Sequence, residues 1–139
     1  EEMEILKRNE NGRAPDSVCP VIDADELLAM RREVAEIYVH DRIYHYIAEL
    51  ARATRENEWT ELGLSPRGTV ALASMSKACA YLRGRAFVVP SDVAEVFPCV
   101  ASHRIFLNMK AKVGHIQVSE LIRQVLEKVE VPALKTRRQ

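Results

Sequence analysis

The chain has 139 residues, of which 20 are Lys or Arg and 20 are Asp or Glu, so the formal net charge is zero, and 47% are hydrophobic. That length suits one domain with a core of its own, and the charge balance excludes the broad attraction by which basic domains collect on nucleic acid or on anionic membranes. The three cysteines, Cys19, Cys79 and Cys99, form no CxxC pair and read as reduced thiols of the cytoplasm, while no apolar run approaches a membrane span and no signal-peptide pattern opens the chain.

Glu1 to Arg8 has the charge pattern of a short helix and contains no start methionine at its first position, so the chain is expected to be a piece of something longer. Asn9 to Asp16 is rich in turn formers and is expected to be a mobile loop. The next helix has a defined start: Asp23 caps it, Glu26 completes a reciprocal capping box, and Ile22 is placed to staple onto Leu27. Leu27, Met30, Val34 and Ile37 share one face at helical spacing, which predicts that this face is buried. Tyr38-Val39 interrupts the pattern. Asp41 is expected to cap a further helix with the stripe Ile43, Tyr46, Ile47, Leu50 and Thr54, and Glu56 to Leu64 reads as a loop that holds Trp59 at a partly exposed rim.

Gly63-Leu64-Ser65-Pro66-Arg67-Gly68 is the start of the next helix. Ser65 is a good N-cap, and Pro66 suits the first helical position because its missing N–H costs nothing there. Arg67 then falls second, against local preference: a helix N-terminus carries about half a positive charge and stabilises Asp or Glu. An arginine at that place calls for an anion, and bare first-turn amides beside a guanidinium fork are suited to a phosphate. The helix should run from Pro66 to Arg83. It is apolar nearly all round, so Val70, Leu72 and Met75 are expected to be buried at the centre of a bundle, and Gly84 should end it as a left-handed C-cap.

Phe87-Val88-Val89 reads as a short extended piece, after which Pro90 breaks and Ser91 caps another helix with Asp92 and Glu95 in its first turn. Pro98 should kink or split that helix near Phe97. His103 to Leu107 can pair with Phe87 to Val89 as a minimal ribbon. The last helix starts at Ser119, carries Ile122, Val125, Leu126 and Val129 on one face and stops before Pro132, and Lys135 to Gln139 should be a basic frayed tail. The fold class is all-α, a bundle of about five or six helices with a small two-stranded ribbon.

Other constellations are weaker. Gly63, Gly68 and Thr69 imitate a P-loop, yet the lysine before the threonine is absent and Pro66 forfeits a needed amide. His40, Asp41 and His45 do not share a helical face as metal ligands, His103 and His115 have no partners at ligand spacing, and Ser74 and Ser76 have no base near them in sequence. Thr54-Arg55 ends a helix, where a cation meets the negative pole, so its role reads as structural. A stand-alone helical interaction module, with Arg67 holding a partner's carboxylate, is the alternative to a phosphate contact. DNA binding is disfavoured by the neutral charge and the lack of a basic recognition helix.

The segments Leu50-Ala51-Arg52-Ala53-Thr54-Arg55, Gly63-Leu64-Ser65-Pro66-Arg67, Gly84-Arg85-Ala86-Phe87-Val88-Val89-Pro90-Ser91-Asp92-Val93 and His103-Arg104-Ile105, in this order and spacing, resemble the C-terminal lid domain of MoxR-type AAA+ ATPases. The similarity covers about Asp23 to Leu107, and the tail to Val131-Pro132 fits the family's ending. The resemblance implies a linker helix and loop over 1–22 from a missing ATPase core, a lid over 23–132 and a basic tail over 133–139. It gives Arg67 the sensor-2 role, reaching the γ-phosphate of ATP held by the core, with Ser65 beside it and Mg2+ bound elsewhere. The implied partners are that core, neighbouring subunits of a hexameric ring and client proteins, in the cytoplasm, with no nucleic acid and no membrane span. Gly68 replaces the alanine common after the motif, which should loosen the helix start.

Overall fold

The computed structural model describes residues 19–133 together with Met3. Apart from Met3, the expected helix Glu1–Arg8, and likewise the loop Asn9–Asp16 and the tail Lys135–Gln139, lie outside the described residues. The chain divides into two compact units, Glu1–Arg31 and Arg32–Gln139. Among the described residues the elements are α1 (Ala24–Glu36), α2 (Asp41–Arg55), β1 (Thr60–Leu62), α3 (Pro66–Leu82), α4 (Pro90–Ala101), β2 (Phe106–Leu107), α5 (Met109–Val113) and α6 (Val118–Lys128). This is the expected all-α architecture with a small ribbon.

The capping box of α1 forms as its sequence requires: the Asp23 N–H donates to Glu26 Oε2 and the Glu26 N–H to Asp23 Oδ1, both at 2.8 Å. The expected buried face does not form. No α1 residue is buried, and Leu27 and Met30 are 48% and 37% exposed, whereas Ile37, one residue beyond the helix, is in the core. An amphipathic stripe states which side a partner would cover, and periodicity cannot supply the partner.

α2 buries Ile43, Tyr46, Ile47, Leu50, Ala51 and Thr54, so its expected stripe is the floor of the core. Its cap differs from expectation: His40 is the N-cap, with Nδ1 accepting the Arg42 N–H at 3.1 Å, and Asp41 is the first helical residue. A carboxylate there still meets the positive pole of the helix.

α3 packs chiefly on α4 and also on α2. It is not buried on all sides. Gly68, Leu72, Ser76 and Ala80, four residues apart, form one buried row, while Val70 is 68% and Met75 47% exposed, so of the three residues expected in the core only Leu72 is there. The small residues of that row let a neighbouring helix approach, and the apolar residues on the other sides gave no unique face from which to choose. Gly84, at φ +66°, does end the helix. Its N–H reaches Tyr81 O at 2.8 Å and the Arg85 N–H reaches Ala80 O at 3.0 Å, the paired bonds of a Schellman motif.

The ribbon is built from other partners than expected. Phe106 and Leu107 pair antiparallel with β1, Leu107 opposite Thr60 and Phe106 opposite Leu62, with an irregularity between. Phe87 instead bridges Tyr38 in parallel, through Tyr38 N–H to Ala86 O and Val88 N–H to Tyr38 O, each 3.0 Å. A three-residue strand is too short to show period-two alternation, which is why 56–64 read as a loop. In α4, Pro90 is the first helical residue rather than a break, Val89 rather than Ser91 is the N-cap, and the helix runs through Pro98 without splitting. Val93, Phe97, Val100 and Ala101 are all buried along it, and that packing outweighs the one backbone bond a proline removes. α5, capped by Asn108 Oδ1 on the Ala111 N–H at 3.0 Å, had no signal of its own in the sequence. α6 starts at Val118, one residue before Ser119, and buries Leu121, Ile122 and Val125, with Leu126 and Val129 half-buried.

Candidate functional site

The start of α3 is assembled from the residues that precede it. Thr54, fully buried in the last turn of α2, donates its hydroxyl to Ala51 O at 2.7 Å and accepts the Leu64 N–H at 2.9 Å. Arg55, its neighbour, sends Nη1 to Leu64 O at 2.7 Å. Gly63 lies so close to Arg55 that a Cβ on it would come within 2.6 Å of the Arg55 backbone nitrogen, so only glycine fits. The sequence reading of Thr54-Arg55 as structural therefore holds, through Leu64 rather than through the pole of α2.

Ser65 is the N-cap of α3 and Pro66 the first residue, as expected; Ser65 Oγ accepts the Gly68 N–H at 3.2 Å. The Thr69 N–H goes to Ser65 O at 2.9 Å. Pro66 has no N–H, so among the described residues only the Arg67 amide of the first turn is left without a partner. The pole of α3 thus offers fewer bare amides than the sequence suggested, and the Arg67 guanidinium is the larger part of any anion contact there. Arg67 is exposed and, among the described residues, makes no ion pair. α3, like the five-residue α5, has no acidic residue in its first turn, whereas α1, α2, α4 and α6 have Asp25 with Glu26, Asp41, Asp92 and Glu120 there.

Gly68 does not loosen this start. It is buried against Leu64, and a Cβ on it would lie 2.5 Å from Leu64 Cδ1 and 3.3 Å from Arg104 Cδ. Arg104 crosses here from the end of α4, its Nη1 held by Val100 O at 2.6 Å and touching His103 Nε2. The two motifs, at 50–55 and 103–105, are thus brought to one place, the start of α3. Sequence reasoning missed that Arg104 covers Gly68; the unusual glycine inside a helix start was the available signal.

The other charged cluster is closed on itself. Asp92, fully buried at the third position of α4, accepts Arg85 Nη1 on Oδ2 at 2.7 Å, Arg85 Nη2 on Oδ1 at 2.5 Å, Arg83 Nη1 at 3.3 Å and the Val89 N–H at 2.9 Å. Burial alone would raise its pKa, but the Arg85 hydrogen bonds and the Val89 amide outweigh it and hold the carboxyl below its usual 3.8. Cys79 Sγ also points at Asp92 Oδ1, at 3.7 Å, and burial followed by that carboxylate pushes the thiol up, so it stays protonated.

Elsewhere the chemistry is sparse. Ser76 and Ser74 donate to Leu72 O and Val70 O of their own helix at 2.8 and 3.1 Å, so neither hydroxyl is poised as a nucleophile. Among the described residues no three His, Cys, Asp or Glu side chains gather as metal ligands, and no helix is long and apolar enough to cross a membrane. A groove of about 630 Å³ lies between α2 and the end of α6, lined by Arg42, His45, Tyr46, Glu49, Val129 and Pro132 among others. Arg67 does not border it.

A family model for the AAA lid domain matches residues 52–125, from the last turn of α2 into α6. YeaC of Bacillus subtilis is 33% identical over 132 residues, covering 95% of this chain and 41% of that protein. Chaperone MoxR1 of Mycobacterium tuberculosis is 31% identical over 141 residues, covering 95% of this chain and 37% of its own length. A crystal structure of a candidate ATPase from Cytophaga hutchinsonii has the same fold, with a TM-score of 0.80 and 28% identity over 95% of this chain and 43% of that one. The chain belongs to the AAA lid domain family, and within it to the MoxR-type lids. It spans about two fifths of the length of these relatives.

Proposed function

We propose that this chain is the lid that closes over ATP bound to a nucleotide-binding core in the full-length protein, with Arg67 as the sensor-2 residue contacting the γ-phosphate. The observation that carries this reading is the exposed arginine at the second position of α3, held on a fixed helix start and unanswered by any acid of its first turn. The described residues fit an accessory contact to ATP. Arg67 supplies a planar cationic fork, its own N–H is unspent, and the Ser65 hydroxyl, while accepting from Gly68, keeps a proton to offer. The main phosphate cradle and the Mg2+ ligands belong to the core, because the P-loop lysine is absent here. Residues 1–22 then serve as the link to that core.

ATP supplies the charge that the lid reads; the lid's own part is to place Arg67 and to move when that charge changes, the logic of nucleotide switches. In a hexameric ring in the cytoplasm such movement would remodel client proteins, a role supported by the M. tuberculosis relative being a chaperone by name. The test is steady-state phosphate release by the full-length protein. Arg67→Ala should slow turnover by about 10²-fold, the scale of losing a preorganised charge stabiliser, with little change in its melting temperature. Arg67→Lys should not fully rescue it, since an ammonium lacks the fork. Unchanged turnover in Arg67→Ala would remove Arg67 from the site.

A further inference from the structure

We infer that Arg55 is a positioning residue for Arg67: its guanidinium holds the Leu64 carbonyl and thereby sets where the sensor arginine stands. The inference rests on the sensor-2 reading above. At the C-terminal end of a helix an arginine ordinarily serves the unpaired carbonyls of its own last turn. Arg55 instead reaches nine residues forward, to Leu64 O at 2.7 Å. Thr54 takes the Leu64 N–H at 2.9 Å, so one residue is gripped at its amide and at its carbonyl by adjacent side chains of α2.

The grip is tight because the two segments touch backbone to backbone. A Cβ on Gly63 would lie 2.6 Å from Arg55 N and 2.7 Å from Arg55 Cα. The Leu64 side chain is fully buried and rests on Gly68. From this anchor to Arg67 the chain has little freedom: Ser65 is locked as N-cap, Pro66 has a fixed φ, and Arg67 is already helical. Any shift of Leu64 is therefore passed on to the guanidinium. Thr54, the Gly63 backbone contact and the Leu64 side chain would keep the segment folded without Arg55, but the Leu64 carbonyl would lose its hold and the turn into Ser65 its fixed orientation.

A displacement of about 1 Å at a reacting group can cost about 10²-fold in rate, so partial loosening should be read out in turnover before it is read out in stability. In the full-length protein, Arg55→Ala should lower kcat for ATP about tenfold, leave KM within about twofold and barely change the melting temperature. The decisive measurement is a double-mutant cycle with Arg67→Ala. If Arg55 acts through Arg67, the double variant turns over no more slowly than Arg67→Ala alone. Multiplying deficits, or full activity in Arg55→Ala while Arg67→Ala is slow, would overturn the positioning role and leave the sensor reading standing. Normal turnover in Arg67→Ala would overturn both. Should Arg55→Ala melt below the assay temperature, Arg55→Lys, which keeps most of the stem and a cationic donor, enters the same cycle with a smaller deficit and must show the same non-additivity.

Discussion

Two helix starts in this molecule handle arginine in opposite ways. At the start of α4 the positive pole and the guanidinium groups of Arg83 and Arg85 converge on Asp92, which is fully buried and accepts from Arg83, Arg85 and the Val89 N–H. At the start of α3 the pole and Arg67 meet no acid among the described residues. Both starts use a proline as first residue, and both are fastened by contacts from elsewhere in the fold. The difference is the counter-charge. The domain balances its arginines internally at one helix start and leaves one without a counter-charge among the described residues at the other, which is the contrast on which the proposed sensor role of Arg67 rests.

Removing Asp92 should sharpen that contrast most. Asp92→Ala takes the carboxylate from two partly exposed arginines and leaves the Val89 N–H without its partner, which should cost about 1–3 kcal/mol. Asp92→Asn tests the pH side. The folded carboxyl lies below its usual 3.8, so its contribution is present above that value and is lost as pH falls through the lower folded value; the asparagine variant should show a flatter acid limb in pH-dependent melts. An acid limb unchanged by Asp92→Asn would break the claim that this site is closed by charge.

Packing along α3 gives the next effect. Leu72→Ala should cost about 2–5 kcal/mol in urea denaturation through lost transfer energy and a cavity, whereas Val70→Ala, at 68% exposure, should stay within about 0.5 kcal/mol. Equal costs would mean that α3 is covered on both sides after all. Smaller again is Gly68→Ala. In an ordinary helix the alanine would be better by about 1 kcal/mol. Here its Cβ would sit 2.5 Å from Leu64 Cδ1, and the fully buried Leu64 has little room to withdraw, so the variant should be net destabilised by about 1 kcal/mol or more. A higher melting temperature in Gly68→Ala would show a helix start looser than the Thr54–Arg55–Leu64 contacts require.

Much of the fold and of the candidate site was legible before any tertiary contact was known. Asp23 with Glu26, Ser65-Pro66 and Gly84 are local devices: each is a side chain or a backbone conformation acting within four residues, and each forms as its residues dictate. The stripe of α2 was equally readable, because charged residues on its other side leave one face to bury. Arg67 stood out on the same local ground, as a cation where the helix pole disfavours one.

What the sequence left open depends on which surfaces meet. The exposed flank of α1, the single buried row of α3 and the pairing of Phe106–Leu107 with Thr60–Leu62 all turn on a neighbour far along the chain. Hydrophobic burial is non-directional, so an apolar residue such as Val70 or Met75 is content in any core and names no partner. Two-residue strands likewise have backbone groups that any extended segment can satisfy. The capture of Leu64 O by Arg55 and the crossing of Arg104 over Gly68 belong to this second kind. Local chemistry put an arginine at the start of a helix; only the tertiary structure, through contacts nine and more residues apart in sequence, decided how firmly that arginine is held.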